Sequence, residues 1–308
     1  MRMNRMKKTI SMVCVICLLF NLAPVWAEEA WTAEAWDQTV MALVSADPMP
    51  VPPSRRIRIR PDQVYLSDPG EQRSEWMNIA LISSDSPDMH QNFGRSEALL
   101  VCRLNTRTGA FYLLSLPEYM KVTLAGCPDE VQLKHVNCFG GPLLVLDAVN
   151  RELGLSVNRY CAINVDSFAG IINTFGGVAI TLTEEEAEEM GIGPGEQTLT
   201  GEQAVMYLKL RREWDGTAHF RILLEAMLHK MSSDGMVSAA LILIDGLLHM
   251  IDTNLTLDEI ATFAFSLMDR QEMKGIASYR LEADAEGHVD DAALQACRDF
   301  LYGGAGGK

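Results

Sequence analysis

Short apolar runs alternate with longer amphipathic stretches between residues 77 and 302, and this alternation predicts strands and helices in turn. Strand-like runs occupy 78–83, 98–104, 110–116, 160–165, 178–182 and about 275–282. Helical patterns occupy 142–153, 168–175, 201–210, 218–232, 236–251, 256–270 and 289–301. Turn residues at 105–109 predict a hairpin, and Thr200 with Gln203 forms a capping box at a helix start. The pattern therefore predicts a layered α/β domain.

The beginning of the chain has a pattern typical of a signal peptide. Its first 27 residues carry Arg2, Arg5, Lys7 and Lys8, no acidic residue, and an apolar run that ends before Ala27. This run is shorter than the roughly 20 residues that a membrane-spanning helix needs. We therefore expect cleavage after Ala27 and an extracytoplasmic protein, with a retained membrane anchor as the alternative.

Residues 28–76 differ from the domain that follows them. They contain a proline cluster at 50–53, which favours extended backbone, and a basic patch at 55–60. We interpret 28–76 as an N-terminal arm or linker, 77–302 as the α/β domain and 303–308 as a flexible tail.

The charge balance excludes one class of partner. The chain has a formal net charge of −15, and removal of residues 1–27 would leave 22 Lys and Arg against 41 Asp and Glu. Such a surface repels nucleic acid, so we expect no nucleic-acid binding. An anionic ligand must then be held by a few local cations in a pocket.

Five cysteines remain after residue 27, namely Cys102, Cys127, Cys138, Cys161 and Cys297. The odd number leaves two interpretations open. One is a disulfide between Cys127 and Cys138 across a loop, and the other is buried free thiols throughout.

Two acidic residues stand at the ends of neighbouring predicted strands. Asp85 follows the run at 78–83, and Glu97 precedes the run at 98–104. Carboxylates brought together in this way suit Mg²⁺, which binds a few carboxylates together with phosphate oxygens and water. The alternative is that Asp85 caps a turn and Glu97 is solvated.

A basic cluster lies at and after the capped helix. It comprises Lys209, Arg211, Arg212 and Arg221. Arginines in such a cluster can grip a pyrophosphate with bidentate hydrogen bonds. Lys209 and Arg211 converge only if the helix ends between them, because residues two apart lie on opposite sides of a helix. The alternative is a basic helix end that interacts with the last carbonyls.

Seven short segments, in their order along the chain, resemble the motifs of the LytR–CpsA–Psr family of envelope glycopolymer transferases. They are Asn-Ile-Ala-Leu-Ile-Ser-Ser-Asp at 78–85, Gly-Arg-Ser-Glu at 94–97, Leu-Ser-Leu-Pro at 114–117, Lys-His-Val-Asn at 134–137, Gly-Gly at 140–141, Gly-Gly-Val at 176–178 and Leu-Thr-Gly-Glu-Gln-Ala-Val-Met-Tyr at 199–207. The resemblance covers about 78–231. No single segment is specific, but their common order is.

The resemblance implies a fold and an activity. The fold would be an α/β/α sandwich with a central mixed sheet and an apolar slot for a polyprenyl tail. The activity would be transfer of an anionic glycopolymer from a polyprenyl-pyrophosphate-linked glycan to peptidoglycan or another wall acceptor, close to the membrane and with Mg²⁺. Leu143, Leu146, Ile171, Ile172 and Phe175 would either line the slot or belong to the ordinary core.

The resemblance also assigns roles to residues. Asp85 and Glu97 would hold the metal, and Arg95, Arg211 and Arg221 would neutralise the pyrophosphate in catalysis. Lys209, Lys134 and Glu118 would contact the substrate. Phosphoryl transfer depends chiefly on positioning and charge stabilisation, which is what a metal and several cations supply.

The sequence departs from the family pattern in the same pocket. Glu118, Lys209 and Leu224 stand where the family has Arg, Glu225 where it has Gln, and Ser86 where many members have Arg. Two unit charges 4 Å apart interact by about 4 kcal/mol at an effective dielectric of 20. With Glu118 in place of an arginine, attraction of the pyrophosphate becomes repulsion, which could cost roughly twice that free energy before screening.

These departures leave three accounts open. Glu118 could act as a third metal ligand, the substrate could be less anionic, or the domain could have lost transfer chemistry. The main hypothesis is therefore a transferase with a divergent pocket. The alternative is a non-catalytic protein that binds lipid-linked glycan or wall polymer.

Overall fold

The computed structural model describes residues 56–68, 75–86, 93–125, 127, 129–210, 216–233, 250–268 and 277–303. The strands are β1 (Trp76–Ser84), β2 (Ser96–Asn105), β3 (Phe111–Leu116), β4 (Lys121–Thr123), β5 (Glu130–Gln132), β6 (Arg159–Asn164), β7 (Val178–Leu182), β8 (Gly195–Leu199), β9 (Ile251–Thr253) and β10 (Ala277–Arg280). The helices are α1 (Leu133–Gly140), α2 (Pro142–Leu153), α3 (Val165–Thr174), α4 (Glu184–Met190), α5 (Gly201–Lys209), α6 (Gly216–Ser233), α7 (Leu257–Met268) and α8 (Asp291–Tyr302). The signal segment 1–27 and most of the tail 303–308 lie outside the described residues.

Six strands form a mixed central sheet in the order β10-β3-β2-β1-β6-β9. Strand β1 pairs antiparallel with β2 and parallel with β6, while β3 pairs antiparallel with β2 and parallel with β10. Two small antiparallel pairs, β4–β5 and β7–β8, lie outside this sheet. The predicted mixed sheet and the predicted hairpin of β2 and β3 are confirmed.

Helices cover both faces of the central sheet, which makes the fold an α/β/α sandwich. Leu99 and Val101 of β2 pack with α1, α2 and α8, and we call this side the α2 face. Ala98 and Leu100, which point the opposite way because side chains alternate along a strand, pack with α3, α5 and α6. Helix α7 joins them through Phe263, and we call this side the α6 face.

Local signals set most element boundaries. The Thr200–Gln203 capping box opens α5 as predicted, and Gly154 ends α2 in the left-handed conformation with φ of 63°. One predicted helix was wrong at its end, and two short helices were missed. The helix predicted at 236–251 falls mostly outside the described residues, and its end is wrong because Ile251–Thr253 is a strand. The short helices α1 and α4 were not predicted at all.

Residues 56–68 of the segment interpreted as an arm lie against the domain. The backbone amide of Tyr65 donates to Asp147 Oδ1 at 2.7 Å, and Asn150 Nδ2 donates to the Tyr65 carbonyl at 2.7 Å. Ile57 and Ile59 pack on the core of the α2 face. This stretch therefore contributes to the packing of the sandwich.

All five described cysteines are free thiols. The possible disulfide between Cys127 and Cys138 is therefore wrong, and the alternative of free thiols is confirmed. Four of the five side chains are buried and Cys161 is partly exposed.

Among the described helices, none combines the length and the apolar composition that crossing a bilayer requires.

Candidate functional site

One edge of the central sheet gathers most of the predicted site residues. Because β2 is antiparallel to both β1 and β3, the end of β1, the start of β2 and the end of β3 meet at the same edge. Asp85 directly follows β1, Glu97 is the second residue of β2, and Glu118 lies two residues after β3. We call this edge the strand-end site.

Arg95 lies between the two predicted metal ligands. Its backbone amide donates to Asp85 Oδ1 at 2.6 Å, and its Nε donates to Asp85 Oδ2 at 2.8 Å. Its Nη2 is 4.0 Å from Glu97 Oε1. About a third of the Arg95 and Asp85 side chains is exposed, so solvent or a ligand can reach the pair. The predicted association of Arg95, Asp85 and Glu97 is thus seen in the structure.

Gly94 allows the loop before β2 to approach Asp85 closely. A Cβ atom at this position would lie 2.2 Å from Asp85 Oδ1 and 2.5 Å from the amide nitrogen of Ser86. The Gly94 carbonyl accepts a hydrogen bond of 2.8 Å from Asn137 Nδ2 on α1. The loop is therefore fixed from both sides, and only glycine fits at this point.

Glu118 and Lys134 are neighbours at the same edge. The backbone amide of Lys134, in the first turn of α1, donates to the Glu118 carbonyl at 2.9 Å. Both side chains are half-buried. Glu118 thus lies beside the strand-end site, at the position where the family resemblance predicts an arginine, and Lys134 is its neighbour.

The structure does not bring Arg221 to the strand-end site. Its Nη1 donates to Glu225 Oε1 at 2.9 Å and to Ser278 Oγ at 3.1 Å. Ser278 pairs with Leu113, and Leu113 pairs with Cys102, six residues along β2 from its first residue. At about 3.3 Å per residue and about 4.8 Å between strands, Ser278 lies roughly 20 Å from the start of β2.

Lys209, another predicted cation, lies at the end of α5. Lys209 is its last residue and is exposed, and Leu210 after it is extended with φ of −61° and ψ of 108°. The helix therefore ends after Lys209, which is the condition under which Lys209 and Arg211 can converge. Arg211 and Arg212 themselves lie outside the described residues.

We interpret the partial exposure of two paired residues on the α6 face as a gap in the packing. Leu81 is in the middle of the central strand β1, yet it is only half-buried, whereas Ala80 and Ile82 beside it are fully buried. Its partner on β6, Cys161, is also partly exposed, although burial raises the pKa of its thiol to about 12. Side chains that stay partly exposed in the middle of a sheet, as Leu81 and Cys161 do, are expected to line a gap between the sheet and the helices that cover it. Leu224 of α6 is a further half-buried neighbour.

Of the five residues that could line a slot or belong to the ordinary core, four are buried core residues, which confirms the core alternative for them. Leu146 packs in the core of the α2 face, while Ile171, Ile172 and Phe175 pack in the core of the α6 face. The central sheet separates them, so they cannot all face one slot.

Sequence reasoning assigned no role to one cation near the site. The guanidinium carbon of Arg56 lies 4.6 Å from the centroid of the Phe93 ring, two residues before Arg95. The sequence does contain a signal that could have drawn attention to this segment. Basic and apolar residues alternate from Arg56 to Ile59, which is typical of an extended segment with one side buried.

These observations define an α/β/α protein with a cluster of acidic and basic residues at one edge of its sheet. The model of the LytR_cpsA_psr family matches residues 55–297. The chain therefore belongs to the LytR–CpsA–Psr family, and the prediction made from its short motifs is confirmed.

Two curated relatives carry the same functional name. A Bacillus mycoides protein named polyisoprenyl-teichoic acid–peptidoglycan teichoic acid transferase TagU is 26% identical over 195 residues, or 61% of this chain and 63% of that protein. The Bacillus subtilis protein of the same name is 29% identical over 123 residues, or 39% of this chain and 40% of that protein. The chain thus matches less than two thirds of the length of these relatives.

Solved structures share the fold. The crystal structure of B. subtilis TagV superposes with a TM-score of 0.64 at 19% identity, covering 75% of this chain and 98% of that one. The family protein YwtF (TagT), with bound octaprenyl pyrophosphate lipid, gives a TM-score of 0.60 at 19% identity, covering 77% and 91%. The α/β/α fold predicted from the sequence is confirmed.

Proposed function

We propose that this protein transfers an anionic glycopolymer from a polyprenyl pyrophosphate carrier to peptidoglycan or another wall acceptor, outside the cytoplasm and close to the membrane. The observation that carries the proposal is the arrangement of Arg95 between Asp85 and Glu97 at a sheet edge. The names of the TagU relatives and the lipid bound in the TagT structure support the same substrate class. The amino-terminal pattern of a signal peptide supports the location.

The proposed reaction is phosphoryl transfer. The acceptor hydroxyl oxygen forms a bond to the phosphorus that carries the glycan, and the bond from this phosphorus to the bridging oxygen breaks. Polyprenyl monophosphate leaves, and the hydroxyl proton passes to water. Such chemistry needs cations that hold the phosphates in line and neutralise charge on their oxygens. Arg95 is suited to this task because its planar guanidinium can bind two phosphate oxygens at once.

The strand-end residues fit the Mg²⁺ ion that the family resemblance implies. Asp85 and Glu97 both neighbour Arg95, and Mg²⁺ is usually held by one or two carboxylates plus substrate phosphates. Within the part of the chain that the structure describes, the buried hydroxyl oxygens of Ser86 and Ser96 have no hydrogen-bond partner. Described residues form no group of three or more His, Cys, Asp or Glu side chains able to hold a metal, so substrate phosphates would complete the ligand set. Bound there, Mg²⁺ would neutralise charge on the leaving oxygen.

The gap on the α6 face supports a prenyl chain as the carrier. Leu81 lies four residues before Asp85, which directly follows β1, and this places the gap roughly 13 Å from the strand-end site. Half-buried Leu224, Leu255 and Cys161 offer an apolar surface there. A diphosphate at the strand end could thus extend its hydrocarbon tail along β1 and α6.

A second candidate function is binding without catalysis. The observation that favours it is the ion pair of Arg221 with Glu225, which engages a predicted catalytic cation away from the strand-end site. In this case the protein would bind lipid-linked glycan or wall polymer and leave it unchanged.

The test is turnover of a polyprenyl-pyrophosphate glycan with a wall acceptor and Mg²⁺, measured as released polyprenyl monophosphate. Asp85→Ala should reduce the rate by roughly 10²-fold or more, because it removes charge stabilisation in the transition state. Asp299→Ala, an exposed aspartate on α8, is the matched control and should leave the rate unchanged.

Three results decide between the candidates. Turnover that Asp85→Ala abolishes supports the transferase. Turnover that survives in Asp85→Ala contradicts the assigned role of this carboxylate. Tight binding of the donor by the wild type without any release of polyprenyl monophosphate establishes the binding protein instead.

A further inference from the structure

We propose that Arg56 is an additional diphosphate-binding residue of the strand-end site, supplied by the segment that precedes the sandwich. This inference rests on the proposed function, because it takes the diphosphate of the polyprenyl carrier as the ligand. It is argued from three features of the described residues: how the segment is fixed, where the guanidinium lies, and which charges share its surroundings.

The segment that carries Arg56 is held rigidly beside the end of α1. The backbone amide of Ile57 donates to the Phe139 carbonyl at 2.7 Å. A Cβ atom at Gly140 would lie only 2.6 Å from the Ile57 carbonyl oxygen, so the two backbones are in close contact. Ile57 also packs on the core of the α2 face. The position of Arg56 is thus set by its neighbour.

The Arg56 side chain reaches toward the loop that contains Arg95. Its guanidinium carbon is 4.6 Å from the centroid of the Phe93 ring, a distance typical of a cation–π contact. Phe93 in turn lies against Gly141, where a Cβ atom would be 2.6 Å from the ring. Phe93, Gly94 and Arg95 are consecutive, so Arg56 and Arg95 flank one short loop.

The charges of both arginines act on the same small region. The thiol of Cys138 on α1 is close enough to Asp85, Arg95 and Arg56 for each charge to influence its pKa, which burial raises to about 12. Burial and the neighbouring Arg58 lower the pKa of the Arg56 guanidinium. Arg56 is thus a partly desolvated cation with a like charge beside it, and such a cation is stabilised when a multiply charged anion binds next to it.

The position of Arg56 could compensate in part for the arginine that the family has at position 118 and that Glu118 replaces here. Lys134 contacts the Glu118 backbone on one side of α1, while Arg56 lies at the other end of the same helix, beside Phe139. The site would then bind its diphosphate with Arg95 and Arg56 from the loop and the amino-terminal segment, in place of a residue after β3.

The experiment compares the affinity of the full chain for geranylgeranyl pyrophosphate, geranylgeranyl monophosphate and inorganic pyrophosphate in calorimetric titrations. Arg56→Gln should weaken binding of both diphosphates about tenfold and have less effect on the monophosphate, since a hydrogen bond to a charged group is lost. It should also reduce the salt dependence of diphosphate binding, which a merely structural role of Arg56 would leave unchanged. Arg107→Gln, a cation paired with Glu75 at the opposite edge of the sheet, is the charge-matched control.

Arg56→Lys and Arg95→Gln make the outcome decisive. Arg56→Lys keeps the charge, and retention of most of the affinity and of the salt dependence supports the inference. If Arg56→Gln binds like the wild type while Arg95→Gln loses binding, the inference is overturned and the proposed function stands. If the wild type binds none of the diphosphates, both fail. Equal losses in Arg56→Lys and Arg56→Gln, with a matching fall in melting temperature, assign Arg56 to structure alone.

Discussion

The two faces of the central sheet are covered to different degrees, although the same strands form both. On the α2 face, Ala80 and Ile82 of β1 and Leu99 of β2 are at most 2% exposed. On the α6 face, Leu81 lies between the first two of these residues and is half-buried. The α2 face thus buries both β1 side chains completely, while the α6 face buries Ile79 and leaves Leu81 partly exposed, which we interpret as room beside the central strand.

This difference separates two roles of apolar residues in one sandwich. A core packed to the density of an organic crystal supplies stability, and it has no space for a ligand. A face that leaves Leu81 and Leu224 partly uncovered gives up part of that stability. In return it can accept a hydrocarbon chain, which is the role that the proposed function assigns to it.

The largest expected effect is a contrast between two leucines in helices. Leu146→Ala removes a fully buried side chain from the α2 face and should lower the free energy of unfolding by about 2–5 kcal/mol. Leu224→Ala on the α6 face should lower it by only about 1 kcal/mol, because the side chain is half-buried. Urea denaturation followed by circular dichroism measures both. Equal losses would mean that both faces are closed, and the gap would then not exist.

A smaller effect is expected from the ion pair on α6. Glu225→Gln removes the carboxylate that engages Arg221 and should lower the free energy of unfolding by about 0.5 kcal/mol, as expected for a partly exposed (i, i+4) ion pair. Urea denaturation measures the loss, with Glu282→Gln, which unpairs the more exposed Arg280, as the control. The affinity for inorganic pyrophosphate should stay unchanged, because Arg221 lies roughly 20 Å from the strand-end site. A gain in affinity would show that released Arg221 reaches the diphosphate after all.

The smallest effect concerns an exposed histidine in the loop beside the α2 face. His288 Nε2 lies 2.9 Å from Glu130 Oε2, and this hydrogen bond raises the pKa of His288 above its ordinary value of 6.5. A raised pKa in the folded state stabilises the protein below pH 6.5, and the contribution is lost as the pH rises through the raised value. Glu130→Gln should bring the pKa of His288 back toward 6.5, as measured by NMR titration. A pKa that stays raised in this variant would assign the shift to Asp284 and Glu286.

The sequence was most informative where a local signal determines the structure. Gly154 and the pair of Thr200 and Gln203 define helix ends through their own backbone and side chains, so these boundaries could be predicted. The helix α1 could not, because its first residue follows β5 directly and no side chain caps it. Its position depends on contacts with distant residues, such as that of Asn137 with Gly94.

The candidate site also combines features that the sequence could predict with features that it could not. Asp85, Arg95 and Glu97 are close in sequence and follow strands that pair with each other, so their proximity could be foreseen. The separation of Arg221 from them depends on where β10 joins the sheet, and no pattern near Arg221 reveals that Ser278 will be its partner. Arg56 was missed because its position depends on the hydrogen bond between Ile57 and Phe139, which lie more than 80 residues apart in the chain.

Gly94 has a consequence for how this protein can change over time. The glycine is enclosed by Asp85, Ser86 and Ser84, and every other amino acid would push a Cβ atom into one of them. In a deep mutational scan, codon 94 should therefore tolerate only synonymous changes, even when the scan selects for folding alone. The charges around this loop can vary, as Glu118 indicates, but position 94 itself has to remain glycine.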